Sequence, residues 1–181
     1  MTTAAPLAPQ ATLRAATADD IEAIARVWHD GWRDGHVGHV PAALHRHRRL
    51  TDFRRRVPAL LDITTVATNG SRVVGLVVVR ADEIEQLYVD QRARGGRTAA
   101  ALLRHGEELI SLRFDRAWLA VVAGNTRARR FYARHGWRDT GAINHPAPIA
   151  GGTISVEALR YEKRMTRETP SDRVPTTARA D

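Results

Sequence analysis

The chain has 181 residues, of which 43% are hydrophobic, and a formal net charge of +8 at pH 7. This length is typical of one domain with a substantial core, and the absence of cysteine excludes disulfide bonds, zinc–thiolate sites and cysteine nucleophiles. No apolar run approaches the roughly 20 residues that span a bilayer, and residues 1–10 lack the regions of a secretory signal, so we expect a cytoplasmic protein that does not insert into membranes.

Both ends of the chain are polar and aperiodic. Residues 1–11 are rich in alanine, proline and threonine, and residues 167–181 are rich in polar residues, proline and threonine. Such segments bury too little apolar surface to fold. We therefore predict a disordered N-terminal arm and a disordered C-terminal tail around a single domain at residues 12–166.

Two helices are predicted in the first third of this domain. Thr17 is followed by two aspartates and then by apolar residues at helical spacing, which is typical of a capped helix start. We expect Gly31 and Gly35 to end or bend this helix. A second helix is expected to run over residues 41–56 and to stop near Pro58.

The rest of the domain is predicted to contain five strands and two helices. The pair Asn69-Gly70 between β-branched runs is a strong hairpin signal. In chain order we predict strands at residues 63–68, 72–80 and 83–89, a helix at 97–114, a strand at 117–122, a helix at 125–135 closed by Gly136, and a strand at 154–163. The first three strands form an antiparallel meander, so the fold class is α+β with a central mixed sheet.

A loop rich in arginine and glycine lies between the third of these strands and the helix that follows. It contains Arg94, Gly95, Gly96 and Arg97. A helix N-terminus offers unpaired amide donors and partial positive charge, and glycines let a phosphate approach the backbone closely. The pattern predicts a pyrophosphate-binding loop, although similar turns also precede helices that bind no ligand. It matches neither the dinucleotide-binding fingerprint nor a Walker loop.

Two blocks of the sequence resemble the GNAT superfamily of acetyl-CoA-dependent N-acyltransferases. The loop matches the family motif Q/R-x-x-G-x-G/A at Arg94 and Ala99, whereas Arg97 replaces the central glycine and would be strained if that position required a positive φ. The later block is similar to the signature N-x-x-A-x-x-F-Y-x-x-x-G-F/W. Its matching residues are Asn125, Ala128, Phe131, Tyr132, Gly136 and Trp137.

The resemblance implies a sheet of about six to seven strands flanked by about four helices, and transfer of an acetyl group from acetyl-CoA to an amine in a ternary complex. The acceptor would be a small-molecule or peptide amine, no metal would be needed, and a homodimer is left open. The cofactor-binding residues implied by the resemblance are Leu87, Tyr88, Val89, Arg94, Gly95, Gly96, Arg97, Thr98, Ala99, Asn125, Arg129 and Tyr132.

The implied chemistry needs a base and an acid. An alkyl amine has a pKa near 10.4 and is mostly ammonium at pH 7, so its proton must be removed. Glu83 and Glu85 alternate onto one face of their strand, and the resemblance implies that one of them is the base; Glu85 is favoured as nearer the thioester. Tyr132 corresponds to the general acid, and an amide near Val89 to the oxyanion donor. The alternatives are solvated carboxylates and a tyrosine that only packs.

The segment between Trp28 and Arg49 contains five histidines, namely His29, His36, His39, His45 and His47. No cysteine or carboxylate completes a metal-ligand set at typical spacing, so we predict no metal site. The resemblance to the family implies that this region forms one wall of the acceptor site, lined by Trp28, Trp32, His36 and His39. An exposed loop is the alternative for each residue taken singly.

Two other classes of function remain open at this stage. One is a non-catalytic acyl-CoA-binding regulatory module, which would keep the cofactor motifs without a working base. The other is a nucleic-acid-binding protein, since a basic chain attracts anions. The charge is almost entirely arginine, Lys163 being the single lysine, and it is spread over several elements without interleaved aromatic residues. This distribution does not favour nucleic acid.

Overall fold

The computed structural model describes residues 11–166, so the predicted arm, apart from Ala11, and the predicted tail lie outside the described residues. Three short 3-10 helices lie at Ala18–Asp20, Val57–Ile63 and Gln91–Ala93. The other elements are β1 (Thr12–Ala15), α1 (Ile21–His36), α2 (Ala42–His45), α3 (Leu50–Arg56), β2 (Thr64–Asn69), β3 (Arg72–Arg80), β4 (Glu83–Val89), α4 (Thr98–Ser111), β5 (Arg116–Val121), α5 (Thr126–Arg134), β6 (Arg138–Ile149) and β7 (Gly152–Arg164).

The strands form one seven-stranded sheet in the order β1-β2-β3-β4-β5-β7-β6. Neighbouring strands are antiparallel except β4 and β5, which run parallel. The prediction of an α+β fold with a mixed central sheet is confirmed. No helix within residues 11–166 is long and apolar enough to cross a membrane.

Side chains alternate between two cores, one on each face of the sheet. On β2, Val66 packs with Trp28 of α1 and Phe53 of α3, whereas the next residue, Ala67, belongs to the core that contains Leu102 and Leu103 of α4. Helices α1 and α3 thus cover one face and α4 covers the other. Residues of β4 contribute to both cores.

The prediction that the first helix ends at Gly31 is wrong, because α1 continues to His36, one residue beyond Gly35. Both glycines are buried and allow close packing instead. A Cβ at Gly31 would lie 2.5 Å from Cδ1 of Tyr88, and a Cβ at Gly35 would lie 2.6 Å from Nδ2 of Asn125. The absent side chains bring α1 against β4 and against the start of α5.

The single helix predicted over residues 41–56 is two short helices, α2 and α3. The carboxylate of Asp52 accepts a hydrogen bond from the Arg49 amide at 2.9 Å, which caps a new helix start after the break. Pro58 does not stop the helical path either, since the 3-10 helix continues to Ile63. A proline is tolerated in the first turn of a helix because the amide it lacks has no acceptor there.

Strand β6 was not predicted from the sequence. It contains Pro146 and Pro148, which normally argue against a strand. In the sheet β6 is an edge strand that pairs only with β7. An edge strand tolerates residues without an amide donor, so the prolines lie where the hydrogen-bond ladder does not need them.

Candidate active site

The sheet opens between its two parallel strands. Glu83 of β4 is registered opposite Trp118 of β5, and no further pair joins these strands within residues 11–166. The Trp118 amide donates to the Asp82 carbonyl at 2.9 Å just before this point. Beyond it the strands separate, so the backbone groups of β4 that face β5 have no partner strand. An extended ligand could pair with them as an added strand would.

A cavity of about 140 Å³ lies where the strands separate. It is lined by residues of α1, β4, β5 and α5, of α2, α3 and the segment between them, and of the β6–β7 hairpin. The structure brings nine of the predicted site residues together on its walls: Trp28, Trp32, His36, Glu83, Glu85, Leu87, Tyr88, Asn125 and Tyr132.

His39 is not part of the cavity lining, in contrast to its predicted place in the acceptor site. A Cβ added at Gly124 would lie 2.1 Å from Nδ1 of His39, so the imidazole packs directly on the loop after β5. Gly124 leaves room for the ring. The contact joins the segment after α1 to the loop that leads into α5.

The predicted phosphate loop has the open amides that an anion requires. Within the described chain, the backbone N–H groups from Gly95 to Ala100 donate to no protein acceptor. They lie at the N-terminus of α4, where the helix dipole adds partial positive charge. The Arg97 side chain is exposed beside them.

Arg97 carries no backbone strain, although it replaces the motif glycine. Its φ is −85° and its ψ is −6°, which is an ordinary conformation for any residue. The positive φ in this loop belongs to Gly95, at +80°. Glycine is therefore needed at position 95, and an arginine at position 97 leaves the loop geometry intact.

Two arginines predicted to contact the cofactor have protein partners. Arg94 donates from Nε to the Val89 carbonyl at 3.3 Å and forms an ion pair with Asp34 of α1 at 2.7 Å. Arg129 donates to the Tyr161 hydroxyl at 3.3 Å and to the Ala123 carbonyl at 3.2 Å. These contacts attach the phosphate loop to α1 and attach α5 to β7.

The two candidate bases differ in their surroundings. Burial, followed by repulsion from Glu85 and Asp82, raises the pKa of Glu83 to about 7. Glu85 lies at a β-bulge, where β4 has one residue more than β3, and its Oε2 accepts a hydrogen bond from Nε of Arg80 at 2.6 Å. Glu83 is thus poised to exchange a proton near neutral pH, whereas Glu85 is ion-paired.

Tyr132 lies on α5 with its ring packed near Phe131, Trp137 and Tyr161. Burial raises its pKa above the ordinary value of a phenol, so it is protonated at neutral pH. Among the described residues its hydroxyl has no hydrogen-bond partner. A protonated hydroxyl on the cavity wall is free to donate to a ligand.

Asn125 is the N-cap of α5. Its Oδ1 accepts a hydrogen bond from the Ala128 amide at 3.1 Å, and its Nδ2 lies against Gly35 of α1. The residue lines the cavity as well as capping the helix. Its two roles are compatible, because the capping oxygen and the amide nitrogen point to different partners.

The aromatic wall of the cavity is closely packed. His36 stacks on Trp32 with ring centroids 5.1 Å apart and the planes 9° from parallel. Its Nδ1 lies 3.0 Å from the Trp32 carbonyl oxygen, and burial lowers its pKa to about 4, so the ring is neutral at pH 7. No group of three or more His, Cys, Asp or Glu side chains within residues 11–166 could hold a metal ion.

Three ionisable residues of the cavity were not predicted from the sequence: Arg48, Arg56 and His145. The Arg48 guanidinium lies 5.8 Å from the centroid of the Trp32 ring, and the Arg56 guanidinium lies 4.5 Å from that of Trp28. Both belong to an arginine-rich stretch that resembles a solvated helix face, and His145 lies on the strand that was not predicted. No local pattern distinguishes the two inward arginines from their exposed neighbours.

Comparison with known proteins agrees with this geometry. The profile of the family described as Acetyltransferase (GNAT) family matches residues 22–137. No curated protein matches the chain. A GCN5-related N-acetyltransferase structure from Rhodopseudomonas palustris is similar at 18% identity and a TM-score of 0.69, covering 89% of this chain and 99% of that one.

Two further solved structures share the fold. The PaiA N-acetyltransferase of Thermoplasma acidophilum in complex with coenzyme A has 16% identity, a TM-score of 0.61 and coverage of 86% of this chain and 99% of its own. A ribosomal-protein-alanine N-acetyltransferase from Brucella melitensis has 20% identity, a TM-score of 0.65 and coverage of 84% and 99%. The family match spans most of the chain and includes the phosphate loop, β4 and α5 described above. The chain therefore belongs to the GNAT family of acetyltransferases and is an acyltransferase.

Proposed function

We propose that this protein transfers an acetyl group from acetyl-CoA to a primary amine by direct attack in a ternary complex. The observation that carries the proposal is a continuous path along β4. It begins at the unpaired amides of Gly95–Ala100, follows the unpaired edge of the strand and reaches the cavity at Glu83 and Tyr132. Membership of the family and a similar fold solved with coenzyme A support the same use of the cleft.

The residues along this path have the chemistry that coenzyme A requires. The unpaired amides at the start of α4 suit a diphosphate, and the exposed Arg97 adds a cationic donor. The backbone of Leu87, Tyr88 and Val89 suits the extended pantetheine arm. Acetyl-CoA supplies the acetyl thioester. Arg94 and Arg129 would support this site chiefly by holding its loop and helix in place.

We assign the base to Glu83 in preference to Glu85. A carboxylate with a pKa of about 7 is a stronger base than an ordinary one and is still ionised in a useful fraction at neutral pH. Glu83 would accept the ammonium proton directly or through one water. Glu85 keeps its ion pair with Arg80 and raises the pKa of Glu83 by repulsion.

Tyr132 is the proposed acid. Its buried phenol keeps its proton at neutral pH and has no protein partner in the described chain, so it can donate to the departing sulfur. The Val89 amide is the proposed donor to the oxyanion. Each role uses a group that the fold leaves unpaired.

The test measures free thiol release from acetyl-CoA with a panel of amines, together with coenzyme A binding by calorimetry. We expect Glu83→Gln to lower kcat by about 100-fold or more while leaving the Kd for coenzyme A unchanged, and Glu85→Gln to have a smaller effect. Binding without thiol release for any amine would favour the regulatory acyl-CoA-binding module. Absence of coenzyme A binding at millimolar concentration would overturn the proposal.

A further inference from the structure

Two guanidinium groups line the acceptor side of the cavity. Arg48 is only 6% exposed, and Arg56 is partly buried. Each lies over the ring of a tryptophan of α1, Arg48 over Trp32 at 5.8 Å and Arg56 over Trp28 at 4.5 Å from the ring centroid. Such cation–π contacts hold the cationic groups in place without neutralising their charge.

Neither guanidinium forms an ion pair within residues 11–166. The one side-chain hydrogen bond of Arg48 goes to the His47 carbonyl at 2.9 Å. No fully buried side-chain nitrogen in the described chain lacks a partner, so the remaining donors of Arg48 must reach accessible space. Arg48 lines this cavity and also a second one beside α1, and its free donors face this accessible space.

The positive charges of Arg48 and Arg56 repel each other. Burial and the charge of Arg56 lower the pKa of Arg48 to about 10, which still leaves it protonated at neutral pH. The nearest carboxylate on α3, that of Asp52, accepts from the Arg49 amide and pairs with Arg55. Two desolvated guanidinium groups that repel each other and form no direct ion pair in the described chain favour a bound anion, and the carboxylates of Asp52 and Glu85 act on them only without direct contact.

The same cavity also carries Glu83 and Glu85, which attract a cation. Glu85 acts on Arg56 electrostatically, so the acidic and basic ends are close enough to interact. An acceptor that spans them must carry an amine at one end and an anion at the other.

Building on the proposed function, we infer that the acceptor is a zwitterionic amine whose carboxylate, phosphonate or phosphate binds Arg48 and Arg56 while its amine lies by Glu83. Polyamines and neutral amines lack the group that these arginines bind. The shared chemistry is an anion with oxygen acceptors that match the planar guanidinium fork.

Matched acceptor pairs test the inference. Each α-amino acid is compared with its carboxamide, and α-aminophosphonates form a second arm that separates carboxylate from phosphonate recognition. The carboxamide has the less basic amine, so a larger fraction of it is unprotonated at neutral pH, and the protonation state of the amine alone would favour it. We expect kcat/KM to be higher for the anionic member by about 10- to 100-fold. Equal values, or turnover confined to neutral amines and polyamines, would overturn the inference and leave acetyl transfer intact.

Substitution identifies the residues responsible. Arg48→Gln and Arg56→Gln should each bring the ratio of kcat/KM for the anionic acceptor to kcat/KM for its carboxamide close to one. Arg46→Gln is the matched control, because Arg46 is exposed and lies two residues from Arg48. Arg48→Lys keeps the charge and should retain part of the preference. An unchanged ratio in both glutamine variants would overturn the assignment.

A binding measurement tests the same site without catalysis. Trp28 and Trp32 line the cavity, so tryptophan fluorescence reports its occupancy. We expect saturable quenching by N-acetyl amino acids and little by their carboxamides, with the difference lost in Arg48→Gln. Thermal melting confirms that each variant is folded. Failure of coenzyme A to bind would contradict the proposed function alone, whereas equal quenching by both probes, or none by either, would contradict the anion site.

Discussion

Glu83 of β4 lies opposite Trp118 of β5 at the one registered pair between these strands in the described chain. The Trp118 amide donates to the Asp82 carbonyl at 2.9 Å, and its indole nitrogen donates to the Asp82 carboxylate at 3.3 Å. These contacts hold the strands together immediately before they separate. The residue at which the cleft begins is therefore also the candidate base, and its burial follows from the closure of the sheet around it.

The activity should depend on the ionisation of Glu83. Because its pKa is raised to about 7, the base is protonated and inactive below that pH, and kcat should rise with pH through about 7. A profile of kcat against pH with a saturating acceptor measures this rise. Glu83→Gln should abolish the rise of kcat near pH 7 as well as lower kcat itself. A variant whose kcat still rises near pH 7 would show that another group titrates there.

The same carboxyl group should cost stability at neutral pH. Its folded pKa is about 7 and its ordinary value is 4.5, so the folded state binds more protons than the unfolded state between these values. The free energy of unfolding therefore falls as pH rises through this window. Glu83→Gln should stabilise the protein by about 1 kcal/mol at pH 8, a value reduced for partial solvent exposure, and by almost nothing at pH 4. Urea denaturation at both pH values measures the difference. An equal gain in the free energy of unfolding at pH 8 and pH 4 would show that the ionisation of Glu83 does not affect stability.

Gly31 should be intolerant of even one additional carbon. An added Cβ would lie 2.5 Å from Cδ1 of Tyr88 and 3.3 Å from its Cβ, so rotation of the ring alone does not relieve the contact. Alanine favours the helix by about 1 kcal/mol, but overpacking costs about 1–3 kcal/mol, so we expect Gly31→Ala to lower stability overall. Arg33→Ala, at an exposed position of the same helix, is the control and should change the free energy of unfolding by less than about 0.5 kcal/mol. A stabilised Gly31→Ala variant would mean that β4 can move away from α1.

Elements with local signals were predicted well from the sequence. The Asn69-Gly70 turn and the β-branched runs around it indicated the strands that form β2 and β3, and the Asn125 cap indicated α5. Strand β6 has no such signal, because its prolines are tolerated only through its position at the sheet edge. The break between α2 and α3 likewise depends on a single Asp52 cap within an otherwise helical pattern.

The candidate site was predicted where it follows family motifs and missed where it depends on packing. Glu83, Asn125 and Tyr132 were identified by resemblance, and all three line the cavity. Arg48 and Arg56 were not, because exposed and buried arginines alternate in one stretch and their burial depends on the tryptophans of α1. The choice between Glu83 and Glu85 likewise required the ion pair with Arg80 and the burial of Glu83.

The glycines of the phosphate loop should differ in their tolerance of alanine. Gly95 has a φ of +80°, which an alanine adopts only with strain. A Cβ at Gly96 would make an ordinary contact at 3.7 Å with the Ala93 carbonyl oxygen. We expect Gly95→Ala to weaken coenzyme A binding by about 5- to 10-fold, corresponding to about 1 kcal/mol, and Gly96→Ala to weaken it less. Calorimetry measures both Kd values. Equal losses would show that space for the phosphates, rather than backbone conformation, limits the loop.

Two tyrosines with opposite hydrogen-bonding status should separate catalysis from stability. The Tyr132 hydroxyl has no partner among the described residues, so Tyr132→Phe should leave the melting temperature unchanged while lowering kcat by about 100-fold through loss of the proton donor. The Tyr161 hydroxyl accepts from Arg129 at 3.3 Å, and its ring contacts that of Tyr132 without lining the cavity. Tyr161→Phe should therefore cost about 1 kcal/mol of stability and leave kcat within about threefold. Steady-state kinetics and thermal melting of both variants provide the comparison. A Tyr132→Phe enzyme with wild-type kcat would assign protonation of the leaving thiolate to solvent, because the buried phenol would then contribute packing alone.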